Sequence, residues 1–317
     1  IETPLENSLE LLNNKFDQSQ IKTVQEKWKP YNFKNQNIDD FLQNLNIDKT
    51  VEISSINGGY SNALKQLNKF IDNGYEDYAK FSSNPSKEAS SQLSPYFHSG
   101  QISTHEVFEK ISNLESWTLE SIDPKMVGRR EGWWGSTENF ESFMDELITW
   151  RELGYHTCVR RANYDQYSSL PEWAIKTLTE HSSDEREHIY SLDELTYSQT
   201  HDEIWNAAQN QLRTQGIIQN YLRMLWGKKI LEWTPNPQIA LSYMITLNDR
   251  YALDGRDPNS YSGVFWILGR YDRAWGPERS IYGKIRYMTS DSTSKKFNLK
   301  PYLEKWSNES LGIHTSL

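Results

Sequence analysis

The sequence predicts an all-α fold. Three observations lead there. From Glu141 onward nearly every segment places its apolar residues at the 3.6-residue spacing of a helix. No stretch reads as a succession of alternating strands, and no internal repeat appears.

Taken in order, residues 1–57 are polar and rich in Asn, Lys and Gln, with one amphipathic candidate at Leu9–Phe16. They are expected to form a short helix followed by a surface linker. Gly58-Gly59 interrupts the chain, and residues 58–317 are taken as one helical domain. Within it, Ser61–Ile71 carries Leu64, Leu67, Phe70 and Ile71 at helical spacing. Asn84-Pro85 and the serines after it mark a loop. A further helix is expected from about Thr104, with Val107, Ile111 and Leu114 as its apolar stripe. Residues 123–139, with Pro, several Gly and two Trp, read as an ordered loop. Beyond it the strongest helical patterns are Phe143–Leu153, Glu172–His181, Asp202–Gln215, Ile217–Glu232 and Pro237–Tyr251.

Composition narrows the function classes. A chain of 317 residues can bury a full core. Hydrophobic content is only 36%, but aromatics reach 13%, with 12 Trp and 18 Tyr, and these supply large buried area per residue. The single cysteine, Cys158, excludes an internal disulfide framework and any multi-cysteine zinc or iron–sulfur site. It fits a reducing compartment, and a cytoplasmic protein is expected. No apolar run approaches the roughly 20 residues of a membrane span. A formal charge of −9 argues against wholesale wrapping of nucleic acid, while leaving room for a local basic groove.

Four segments carry candidate chemistry. Glu146 and Trp150 lie four apart, so a helix puts a carboxylate and an indole on one face. That pair suits a planar, hydrogen-bonding ligand such as a nucleobase, but a core Trp beside a solvated Glu looks the same in sequence. Trp226 and Trp233 are seven apart in one helical segment, and Trp205 lies one segment earlier. They form either an electron-hopping path or plain core packing. Asn248 and the turn around Asp254 and Asp257 are strongly polar, and a buried Arg223 would need a partner such as Asp254. Ser90-Ser91-Gln92-Leu93-Ser94 enters a helix, where hydroxyls and main-chain amides either hold a phosphate or cap the helix.

Together these segments resemble the photolyase/cryptochrome family, and in order and spacing its class II cyclobutane pyrimidine dimer branch. Leu93-Ser-Pro-Tyr-Phe-His-Ser-Gly100-Gln-Ile-Ser is close to the family's Leu-Ser-Pro-Tyr-Leu-His-Phe-Gly-Gln-Ile-Ser. His201–Gln209, Leu222–Trp233, Asn248–Asn259 and Ile281–Met288 match almost residue for residue. The resemblance covers about residues 58–298 and implies the family's helical FAD-binding domain.

It also implies roles. Tyr78 and Ser90, Ser91, Gln92, Leu93 and Ser94 would hold the FAD phosphates. Arg223, Asp254 and Asp257 would surround the flavin and ribose, and Asn248 would face the flavin N5, with the ring seated between Arg223 and Asn248. Glu146, Trp150, Asn220, Met224 and Trp266 would contact a flipped pyrimidine dimer. Trp275 and Arg286 would fill the gap left in the duplex. Trp205 and Trp226 resemble the class II photoreduction pair, with Trp233 a third member. The implied reaction is repair of cyclobutane dimers in damaged DNA by electron transfer from excited reduced FAD. The expected protein is a monomer with no membrane contact, its antenna domain separate or missing. A flavin photoreceptor that signals without repair is the alternative.

The chain departs from the class II pattern in three places. Ile218-Gln219-Asn220 replaces Met-His-Gly, so Asn220 resembles the class I dimer-contacting Asn. Ser99-Gly100 replaces Phe-Gly. Gly128–Gly135, with Trp133 and Trp134, has no counterpart. The His pair of (6-4) photolyases is missing from the segment of Asn220 and Met224, which disfavours (6-4) repair.

Overall fold

The structure, a computed structural model, describes residues 18–29, 37–126, 129 and 131–313. The chain divides into two units, Ile1–Glu52 and Ile53–Leu317. The first contains the helices Gln18–Lys27 and Ile38–Gln43, the latter capped by the Asn37 side chain on Asp39 N. The helix expected at Leu9–Phe16 lies outside the described residues.

In the second unit, among the described residues, regular structure is helical, with a single isolated bridge between Arg279 and Gly283 and no strand. The fold is all-α, as the periodicity predicts. The Tyr60–Asn73 helix buries Ala63, Leu67 and Phe70 against Tyr75, Tyr78, Phe140 and Phe143 in one apolar cluster. The helix expected near Thr104 runs Thr104–Leu114, capped by the Ser103 hydroxyl on Glu106 N, and buries Val107 and Ile111. Leu114 departs from the expected stripe and is 52% exposed.

The remaining helices surround Asn220–Glu232, which packs on Glu203–Gln215, Pro237–Tyr251 and Pro258–Ile267. Arg151–Arg160 lies against Pro258–Ile267. Two glycines set these approaches. A Cβ on Gly227 would meet Ile267 Cδ1 at 2.1 Å, and one on Gly154 would meet Ser262 Oγ at 2.8 Å.

Three boundaries differ from the sequence pattern. The loop expected over 123–139 ends earlier, because the Thr137 hydroxyl accepts from Phe140 N and starts a helix at Glu138. The helix expected over Phe143–Leu153 is one continuous run from 138 to 160 with a π turn at Asp145–Trp150. The 217–232 helix begins at Asn220, since Gly216, at φ 73°, closes the preceding helix and the Gln219 side chain caps the next. The helix expected over Pro237–Tyr251 has those bounds, Asn248 included, and the polar turn follows at 252–257 before Asp257 caps Pro258–Ile267.

Candidate active site

Arg223 projects from the central helix toward the end of Pro237–Tyr251. Its Nη1 donates to Asn248 Oδ1 at 3.3 Å. Its Nη2 lies 3.6 Å from Asp254 Oδ1, an ion pair too long to be a hydrogen bond. Asp254 Oδ1 is therefore buried with no hydrogen-bond partner. Asn248 is itself buried, its amide donating to Ser260 Oγ and, at 3.4 Å, to Asp249 Oδ1. Arg223 and Asn248 touch, so the space expected between them for a ring is absent.

Asp257 caps its helix through Asn259 N at 2.9 Å and faces His98 Nδ1 at 3.3 Å. That contact brings the Ser90–Ser94 loop and the polar turn to one place. In the loop, Gln66 Nε2 donates to Ser91 O at 2.9 Å, and Gln92 adopts a left-handed φ of 53°. Leu93 is fully buried, whereas Ser90 and Ser91 are half-buried and Gln92 and Ser94 exposed. Tyr78 sits apart from this loop in its contacts. Its ring packs edge-on against Phe70 and Phe143, at 5.7 and 5.3 Å. Burial, and then the carboxyl of Glu146, push its phenol upward.

The π turn supplies the second half of the site. A π turn inserts one residue into the helical repeat and is frequently found where function re-aims side chains. Here it carries Glu146 and Trp150. The Trp150 and Trp266 rings are 4.6 Å apart, inclined at 56°, and Tyr271 stands 6.5 and 6.2 Å from them. The two indoles thus form a corner, brought together by the close packing at Gly154. Glu146 is exposed to solvent, yet its carboxyl is pushed up to about 7, first by desolvation and second by Asp145. Met224 is half-buried one helical turn beyond Asn220, which is exposed at the first position of its helix.

Trp226, Trp205 and Trp233 are all buried and in ring contact. Trp226 and Trp205 are parallel within 2° at 6.5 Å, and Trp205 meets Trp233 at 5.6 Å. Their indole donors are satisfied, Trp205 by Trp226 O at 2.9 Å and Trp226 by Gln209 Oε1 at 2.8 Å. The row continues to Tyr190, 5.4 Å from Trp233, and Tyr190 bonds His201 Nδ1 at 2.7 Å.

Trp275 and Arg286 meet in the segment after Pro258–Ile267. Arg273 and Arg286 lie over the Trp275 ring at 4.6 and 5.1 Å, and its indole donates to Asp272 at 3.0 Å. Arg286 is exposed and Trp275 half-buried. The structure brings Arg223 against Asn248 and Asp254, with Asp257 in the turn that follows, sets Glu146 and Trp150 on one π turn with Trp266 against Trp150, and lines up the three indoles in a row. Sequence reasoning missed His98, although it lies in the same Leu-Ser-Pro-Tyr-Phe-His motif four residues past Ser94. It also missed Asp145, for which no spacing signal exists.

No family model matches the chain. It is 38% identical over 267 residues to a deoxyribodipyrimidine photo-lyase of Methanothermobacter thermautotrophicus, covering 84% of this chain and 55% of that protein. It is also 38% identical over 263 residues to the photo-lyase of Potorous tridactylus, covering 82% and 46%. The chain thus spans about half the length of these relatives. The crystal structure of an archaeal photolyase from Sulfolobus tokodaii with two FAD molecules superposes with a TM-score of 0.53 at 17% identity. That superposition covers 89% of this chain and 53% of the other. With the helical fold and the order of its motifs, this likeness has one reading: the chain belongs to the photolyase/cryptochrome family.

Proposed function

We propose that residues 58–317 form the catalytic domain of a class II-like photolyase, a monomer that uses FAD and light to reverse cyclobutane pyrimidine dimers in DNA. The observation that carries this reading is the π turn that bears Glu146 and Trp150, with Trp266 packed against Trp150. A carboxyl pushed up to about 7 and an indole project from the same π turn, and a second indole packs on the first, a set of groups that suits two flat neighbouring bases with polar carbonyl edges.

The residues fit a flavin. Asp254 Oδ1 is a buried acceptor lacking a donor, which a ligand N–H or hydroxyl would satisfy. Arg223 and Asn248 present a cation and an amide across which the ring would lie, while Ser90–Ser94 would offer hydroxyls and amides to the phosphates. When bound, reduced FAD supplies the light absorption and the electron. The protein's part is orientation and electrostatics. Trp150 and Trp266 would pack against the two pyrimidine faces, with Asn220 and Met224 beside them. Protonated Glu146 would donate to a dimer carbonyl, where negative charge builds as the dimer accepts an electron. Trp226, Trp205 and Trp233 would relay electrons during priming of the flavin, a step separate from repair. A dimer stacks badly in a duplex, so extruding it costs less than extruding normal bases, and Trp275 and Arg286 would occupy the gap.

The test is illumination of the reduced protein with an oligonucleotide carrying one thymine dimer. Blue light should restore the two thymines, with no conversion in the dark. Flavin binding without dimer reversal would overturn repair and leave a photoreceptor.

A further inference from the structure

The turn at 131–137, which lies outside the class II pattern, has no part in the site so far. It is nevertheless tied to the helix that carries Glu146. Gly132 N and Gly135 N donate to the two carboxylate oxygens of Glu141 at 3.1 and 2.8 Å. Gly135 must be glycine there: its φ is 66°, and a Cβ would lie 1.9 Å from Ser121 O. The Trp117 indole donates to Trp134 O at 2.7 Å. Trp134, 4% exposed, packs on Trp117, Phe140 and Trp133. Its own indole N–H reaches Asp145 Oδ1 at 3.4 Å, and the Thr149 hydroxyl donates to the same oxygen at 3.1 Å. Asp145 opens the π turn and immediately precedes Glu146.

We propose that Trp134 and Asp145 are positioning residues for Glu146: the Trp134 indole and the Thr149 hydroxyl hold the Asp145 carboxylate where the π turn opens, immediately before Glu146. The inference rests on the repair reading of Glu146 and extends it to the divergent turn. Asp145 is the charged neighbour that raises Glu146 once burial has acted. The other groups around the π turn are engaged elsewhere or uncharged. Glu141, on the preceding helix, is taken up by the two glycine amides. Arg151, on the following helix, bonds the Tyr155 hydroxyl at 3.0 Å and lies over the rings of Phe97 and Tyr155. Tyr78, from the Tyr78–Phe81 helix, keeps its phenolic proton, since its shift is upward.

The experiment titrates Glu146 without DNA, by carbon-13 NMR of protein labelled at glutamate carboxyls, the signal identified by its loss in Glu146→Gln. Asp145→Asn keeps the size and the acceptor oxygen but removes the charge. It should lower the Glu146 midpoint by about half a pH unit, the size of a carboxylate pair at near-contact spacing in a solvated site. Trp134→Phe keeps ring packing without the N–H and should move the midpoint the same way by less. An unmoved midpoint in folded Asp145→Asn overturns the inference. A midpoint that shifts while the pH profile of repair stays put would uphold the link between Asp145 and Glu146 and instead remove Glu146 from repair.

Discussion

In the proposed reaction a single protonation event at Glu146 would link pH to chemistry. With its carboxyl pushed up to about 7, it would hold its proton and donate to the dimer below that pH and lose the donor above it. Repair per absorbed photon should therefore fall as pH rises through about 7. Glu146→Gln should repair less well at its best but show no such fall; a wild-type profile rising through pH 7 would remove Glu146 as the donor. Stability follows the same sign. The folded-state value lies above that of the unfolded chain, so the stabilisation is present in acid and fades as pH climbs through about 7. Urea melts between pH 5 and 8 should show wild type losing more stability than Glu146→Gln. At the proposed flavin end, Asp254→Asn removes the charge paired with Arg223 and exchanges one of the two acceptor oxygens for an amide donor. Flavin should bind about 10- to 100-fold more weakly by equilibrium dialysis, the usual cost of losing a charged hydrogen bond. Asp254 was legible as Arg223's partner because a guanidinium in an apolar helix needs a carboxylate. The direct Arg223–Asn248 contact was not, since sequence does not give the separation of two helices.

The helices decide how these groups meet. Gly227 lets the central helix press against Pro258–Ile267, which carries Trp266. Gly227→Ala gains about 1 kcal/mol of helix propensity but forces a methyl into Ile267 and Met244, an overpacking worth about 1–3 kcal/mol. A lower melting temperature is the expected result; a higher one would show slack at this crossing. Trp226→Phe should block photoreduction of oxidised FAD yet spare repair by chemically reduced protein, because in the proposed scheme the indole row would act only in priming. Transient absorption decides it, and normal photoreduction would return Trp226 to the core. The seven-residue spacing of Trp226 and Trp233 predicted a shared stripe, but not that Trp205 would lie parallel to Trp226. The π turn was hidden too, because the side chains of 145–150 read equally well as ordinary helix.

Across the whole molecule, a net charge of −9 coexists with a segment, 273–286, that holds Arg273 and Arg286 over Trp275, Arg279 over Tyr287, and Lys284 paired with Glu278. Affinity for dimer-containing duplex should therefore fall with salt, and Arg286→Ala should reduce the slope of log affinity against log salt by about one. A slope unchanged by the substitution would take Arg286 off the phosphates.

Sequence alone determined the helical class, because apolar spacing along one chain is a local property that each segment displays by itself. It also marked the residues rich in chemistry, through a guanidinium among apolar neighbours, clustered indoles and a polar turn. Only the tertiary structure decided which of them share a site, where two glycines draw helices together, and that Trp134 bonds Asp145 across eleven positions. Such contacts depend on crossing angles and close approaches between helices, and no periodicity within one helix encodes them.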